Sequence, residues 1–238
     1  MPDLLSPQEW QALALSLKVA FWATVISLPF GILTAWALAR RRFWGHGLLN
    51  GLVHLPLILP PVVTGYLLLL TFGRKGPVGA WLESWFGIVL AFRWTGAVLA
   101  AAVMAFPLMV RAIRLAFEAV DPKLEQAAGT LGAPPPWVFL TVTLPLILPG
   151  LIAGAILCFA KAMGEFGATI TFVAAIPGQT QTLPSAIYAF LQVPGGDASA
   201  LRLVVVSVAV ALGALALSEW LAQRVAARIG GRIGGRDA

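Results

Sequence analysis

Charge is scarce in this chain. Asp, Glu, Lys and Arg make up 11% of its 238 residues, about half the roughly 25% of an ordinary soluble domain. That shortage excludes a water-exposed globular surface of the usual kind. Cysteine is nearly absent too. Cys158 stands alone in an apolar run, so there is no internal disulfide framework, and a buried thiol is the reading left. Only two histidines occur. His54 has no second ligand spaced to hold a metal with it, and a hydrogen bond to backbone freed by Pro56 is the simpler role. No Gly-x-x-x-x-Gly-Lys-Ser/Thr phosphate loop exists, so any ATP used must be bound by another chain. Nor does a cluster of His, Asp or Cys stand out that could run hydrolytic or covalent chemistry. Neither enzyme activity nor a cofactor is expected.

What is there is apolar. The hydrophobic fraction is 59% and the mean hydropathy +0.88, which makes this an all-α integral membrane protein. The net charge of +6 is then read as topology, not as affinity for nucleic acid. The first apolar run is too long for the core of a cleavable signal peptide, so none is expected.

Residues 1–12 form a tail without Lys or Arg. Spans are expected at about Leu13 to Leu38, Leu48 to Phe72, Thr95 to Ile113, Thr141 to Met163 and Leu203 to Leu221. Between the second and third lies a Trp-bearing loop suited to a helix in the membrane interface. Residues 164–200 hold two apolar pieces, each too short to cross a hydrocarbon core of about 30 Å, so this segment is external or re-entrant. With five spans and the N-terminus outside, ten Lys and Arg face the cytoplasm: Arg40, Arg41, Arg42, Arg111, Arg114, Lys123, Arg224, Arg228, Arg232 and Arg236. Four face outward: Arg74, Lys75, Arg93 and Arg202. A sixth crossing would put the Arg/Gly-rich tail, residues 224–238, on the wrong side. The transmembrane domain is therefore 13–223, with a cytoplasmic loop at 118–140.

One hexapeptide occurs twice. Leu-Pro-Leu-Ile-Leu-Pro stands at 55–60 and again at 144–149, each near the cytoplasmic start of an outward-going span. Prolines free backbone carbonyls that a neighbour must satisfy. Pro56, Pro60, Pro145 and Pro149 are thus either paired hinges or a recurrence in a Leu/Pro-rich chain.

The cytoplasmic loop carries the most specific signal. Asp121-Pro122 starts a helix with an N-cap carboxylate and an N1 proline. Leu124, Ala127, Ala128 and Leu131 follow at i, i+3, i+4 and i+7, on one face. Gly132 ends it, and Pro134, Pro135 and Pro136 cannot continue it. The result is a helix of about ten residues with a narrow apolar face. Gln126-Ala127-Ala128, then three residues, Gly132, nine residues and Val142-Thr143-Leu144-Pro145 resembles the loop signature of bacterial ABC importer permeases. The departures are Gln126 for Glu, with Glu125 one place earlier, and Val142 for Ile. The resemblance implies a MetI-like permease fold, in which this loop docks on an ATPase subunit. Leu124, Ala127, Ala128, Leu131 and Gly132 would make the contact, with Glu125 and Gln126 offering polar groups. The plainer alternative is an amphipathic loop helix packed on its own bundle.

The stretches at 54–69, 104–118, 164–172 (GEFGATITF) and 182–188 (TLPSAIY) look like the permease subunits of molybdate importers. GEFGAT is shared with sulfate permeases. The resemblance implies a homodimer in the bacterial inner membrane, two ABC ATPase subunits on the cytoplasmic side and a periplasmic molybdate-binding protein. Sulfate or tungstate import is the alternative within this class. An ion-coupled secondary transporter is the alternative outside it, but Glu165 is nearly alone as a buried acid. For a tetrahedral oxyanion, Thr64, Thr169, Thr171 and Ser27 could donate hydroxyls, although most such groups bond back to their own helix. Lys161 and Glu165, at i and i+4, are either a structural ion pair or part of the pathway.

Overall fold

A computed structural model describes residues 5–233. Residues 1–4 of the expected external tail and 234–238 of the Arg/Gly tail, with Arg236, lie outside the described residues. Every regular element among the described residues is helical. Among the described residues four helices are long and apolar enough to cross a membrane, giving up to five spans if one sharply bent pair counts as one.

Helix α1 (Pro7–Arg40) begins six residues before the expected span because a capping box fixes its start. Ser6 Oγ accepts from the Glu9 N–H, and Glu9 Oε2 accepts from the Ser6 N–H. At 1.5 Å per residue such a helix is about 50 Å long, more than a hydrocarbon core. The second expected span is not one continuous helix. The chain forms α2 (His46–Ile58) and α3 (Pro61–Phe72), bent by 116° at Leu59 and Pro60. Two adjacent prolines explain the break. Pro60 drives Leu59 extended, at φ −72° and ψ 143°, and Pro61 does the same to Pro60, at φ −54° and ψ 135°. The interfacial stretch forms α4 (Pro77–Phe86), exposing Trp81, Trp85 and Phe86.

Next come α5 (Trp94–Ala119), α6 (Pro122–Thr130) and the single turn α7 (Pro135–Val138). A π-helical turn, Phe139–Thr143, joins α7 to α8 (Leu144–Met163) without a break, so 135–163 is one candidate span. The short α9 (Gly167–Phe172) and α10 (Leu183–Leu191) precede α11 (Asp197–Ile233).

Helices α1, α5 and α8 pack on one another as the core. Small residues let them approach: Ala20 and Ala23 of α1, and Ala97, Ala100, Ala101 and Ala105 of α5, are fully buried. Gly150 and Gly154 of α8 form a G-x-x-x-G face against α5. A Cβ on Gly150 would lie 2.3 Å from Ala116 Cβ, and one on Gly154 3.1 Å from Met109 O. The outer faces stay apolar and uncovered, with Phe30, Leu33, Leu212 and Leu215 at 60–64% exposure.

Polar contacts fix which ends meet. Arg40, at the end of α1, donates to Val120 O beyond the end of α5, and Arg114 of α5 donates to Asn50 of α2. At the opposite pole Glu9 pairs with Arg202 of α11 at 2.7 Å, and Leu183 N–H donates to Ser16 Oγ. Lys18 sits 3.7 Å from the Trp94 ring at the start of α5. Helices α1, α5 and α11 therefore run one way and α8 the other. Since α1 and α5 end together, the intervening α2–α3 pair must carry the chain back.

Candidate functional site

Helix α6 stands at the Arg40 pole and is built as its sequence dictates. Asp121 is the N-cap, accepting from the Lys123 N–H at 2.9 Å, and Pro122 is the first helical residue. Its end is a Schellman motif. Ala133 N–H donates to Ala128 O, Gly132 N–H donates to Gly129 O, and Gly132 holds φ +86°. That left-handed conformation costs other L-residues about 1–2 kcal/mol.

No residue of α6 is buried. Leu124 is 49% exposed and Leu131 89%, with Gln126, Ala127 and Gly132 also exposed and Ala128 half-buried. Trp137 and Leu140, further along the chain, are exposed as well. An exposed leucine at 89% gains nothing from this chain's own packing, so the face is available to another surface.

Glu125 departs from the rest. Its Oε1 accepts from Thr143 Oγ1 at 2.8 Å and from Arg40 Nη2 at 3.4 Å. A carboxylate expected to offer itself to a partner is instead turned into the chain. A cavity of about 600 Å³ lies alongside, lined by Leu33 and Trp36 of α1, Gln126 and Gly129 of α6, and Phe139. Neither Arg40 nor Thr143 stood out in the sequence as an anchor. Arg40 read as a topology charge, and Thr143 lies 18 residues from Glu125, beyond any helical spacing.

The candidate pathway residues separate in two groups. Lys161 Nζ donates to Glu165 Oε2 at 3.0 Å, and Glu165 Oε1 accepts from the Ala168 N–H at the start of α9. Glu165 is 2% exposed, so this pair ties the end of α8 to α9. Thr169 donates to Phe166 O and Thr171 to Gly167 O, so both hydroxyl protons are spent locally. Thr64 differs: its Oγ1 is buried and has no hydrogen-bond partner among the described residues. It sits where α3 meets α9 so closely that a Cβ on Gly65 would lie 2.6 Å from Ala168 O. His54 Nδ1 is 2.9 Å from Asn50 O, not on the Leu52 carbonyl that Pro56 frees. Of the four hinge candidates, only Pro60 stands at a bend. Pro56 and Pro149 lie inside helices, and Pro145 lies in the first turn of α8.

The sequence matches the family of binding-protein-dependent transport system inner membrane components over residues 27–227. It is 61% identical over 220 residues to the molybdenum transport system permease protein ModB of Escherichia coli K12, covering 92% of this chain and 96% of that one. Identity to the protein of the same name from Haemophilus influenzae is 55% over 217 residues, 91% and 95% of the two chains. Among solved structures, a bacterial ABC transporter that imports alginate aligns with a TM-score of 0.72 at 18% identity, over 92% of this chain and 80% of that chain. An inward-facing MetNI methionine ABC transporter aligns at 0.69 and 18%, over 94% and 99%. At these identities the structures speak to the fold alone.

Proposed function

This chain belongs to the binding-protein-dependent transport system inner membrane component family, and on that premise we propose that it is the membrane-spanning subunit of an ATP-driven molybdate importer. The observation that carries the reading is near-full-length likeness to molybdenum permeases, running through the external, core and cytoplasmic segments alike. Like other members of the family it is a transport subunit rather than an enzyme.

The α2–α3 pair counts as one broken crossing, giving five spans with the N-terminus outside. Two arguments support it. The shared pole of Arg40 and Val120 requires a return between α1 and α5, and the positive-inside rule then places that pole in the cytoplasm. Two copies of the chain form the permease, and an ATPase subunit sits beneath each. The face of Leu124, Gln126, Ala127, Ala128, Leu131 and Gly132 docks on the ATPase. Nucleotide-driven closure of the ATPases moves the two docking helices and opens the path alternately to either side. A periplasmic binding protein delivers the anion at the Glu9 pole.

The path needs donors that let go, since a fixed cationic trap would slow release. Thr64 suits this: its unpartnered hydroxyl has a proton to give, and the bend at Pro60 lets α3 shift. Thr169 and Thr171, whose protons already go to backbone carbonyls, offer the anion no donor as they stand, and the Lys161–Glu165 pair holds α9 in place at the mouth. Few fixed donors line this route, so selectivity belongs to the binding protein. The test reconstitutes the permease with its ATPase in liposomes and measures hydrolysis with loaded binding protein. Binding protein supplied with molybdate or tungstate should stimulate it, and the same protein supplied with sulfate, which it does not load, should not. Stimulation by sulfate alone would reassign the substrate, and no stimulation by any would remove the importer reading.

A further inference from the structure

We infer that Glu125 is a positioning residue that transmits movement of the docking helix into α8 and α1, through Thr143 and Arg40, and is not itself part of the docking face. The inference rests on the proposed docking role of α6.

Helix α6 has almost nothing else to hold it. It buries no residue, and the cavity of about 600 Å³ separates much of it from α1. Apolar packing therefore gives it little hold. Polar contacts can, and they converge on one carboxylate oxygen. Glu125 Oε1 accepts from Thr143 at 2.8 Å and Arg40 at 3.4 Å, while the same Arg40 Nη2 donates to Val120 O at 3.1 Å. The side chains of Arg40 and Glu125 are 18% and 28% exposed, and Thr143 is 3% exposed. In such partly dry surroundings these charge-assisted bonds are stronger than a surface pair.

The identity of the partners gives the tie its direction. Thr143 is the last residue of the π-helical turn at the root of α8. A π-turn is a local irregularity that concentrates at sites of function, and it can change its winding without breaking the helix. The last turn of α8 carries Lys161, which donates to Glu165 two residues past the helix end, and Glu165 accepts from the Ala168 N–H of α9, the short helix packed on α3. A push on α6 thus reaches the opposite pole through one rigid helix whose root is gripped by Glu125. Arg40 takes the same push into α1.

The test uses the intact permease–ATPase complex and reads retention of the ATPase separately from its response to binding protein loaded with molybdate. Thr143→Val removes the hydroxyl at constant shape, and Glu125→Gln removes the charge. Both should keep the ATPase bound through purification yet lose stimulation by roughly fivefold or more, the scale of an ordinary coupling between sites. Thr143→Ser, which restores the hydroxyl, should recover it. A merely structural role would instead lower permease abundance in Thr143→Val and Glu125→Gln, and that result also overturns the inference. Leu131→Glu, on the exposed face, should do the opposite of Thr143→Val and shed the ATPase. Full stimulation in Thr143→Val and Glu125→Gln overturns the inference. So does loss of ATPase retention in those two, which would return Glu125 to the docking face. If Leu131→Glu alone behaves as wild type, it is the docking reading that fails.

Discussion

The two copies of Leu-Pro-Leu-Ile-Leu-Pro fold differently. At 55–60 the helix stops at Ile58 and the chain turns through 116° before α3. At 144–149 all six residues lie inside α8. Local propensity is the same in both, so it cannot be the cause. The next residue along the chain is not the same: Pro61 after the first copy, Gly150 after the second. A second proline forces the residue before it away from helix, whereas glycine lets α8 press its backbone onto α5. Burial separates them as well. Ile147 is fully buried, while Ile58, its counterpart in the first copy, is 78% exposed. Proline in a membrane helix marks a place that could bend, and packing decides whether it does.

The largest effect should come from attacking the packing around the second, unbroken copy. Gly150→Val drives a side chain into Ala116 of α5, with the Cβ already at 2.3 Å. Overpacking of this kind costs about 1–3 kcal/mol even where neighbours can shift, and two helix backbones shift poorly. Membrane abundance and detergent Tm should both fall sharply. Gly51→Val, close to the first copy, meets nothing within 4 Å and should leave both near normal. Equal loss in the two variants would mean that glycine's role near the hexapeptides is not close approach.

A gentler probe asks what the bend in the first copy does. In a Cys158→Ser background, His46→Cys and Lys75→Cys flank the α2–α3 pair. If the pair is a broken crossing, Lys75→Cys reacts with an impermeant thiol reagent from outside and His46→Cys only after permeabilisation. Labelling of both from one side would make the pair a re-entrant loop and reduce the spans to four. Neither substitution should alter abundance, so only sidedness is read.

Helix α6 was legible almost to the residue. Its stops are local chemistry: an Asp cap, a proline at the first position, a glycine at φ +86°. The hydrophobic runs likewise located the long helices, because bilayer thickness sets their length. The bend at Pro60 was not legible as such, since the same hexapeptide is compatible with an unbroken helix 89 residues later. The inward turn of Glu125 was hidden for another reason. Its partners come from α1 and from the root of α8, and only tertiary structure brings those side chains together. The Glu9–Arg202 pair was missed on the same ground, being 193 residues apart.

The central claim is that the exposed face of α6 is where an ATPase docks. The most direct measurement is co-purification of the ATPase with Leu131→Glu and with Gly132→Val. Leu131 is 89% exposed, so its substitution cannot unsettle the chain's own fold. Gly132→Val strains a left-handed residue by about 1–2 kcal/mol and distorts the end of the same face. Both permeases should insert and dimerise in normal amounts but retain about tenfold less ATPase, the equivalent of about 1.4 kcal/mol of binding, with transport falling in step. Wild-type retention together with wild-type transport in both variants would contradict the account.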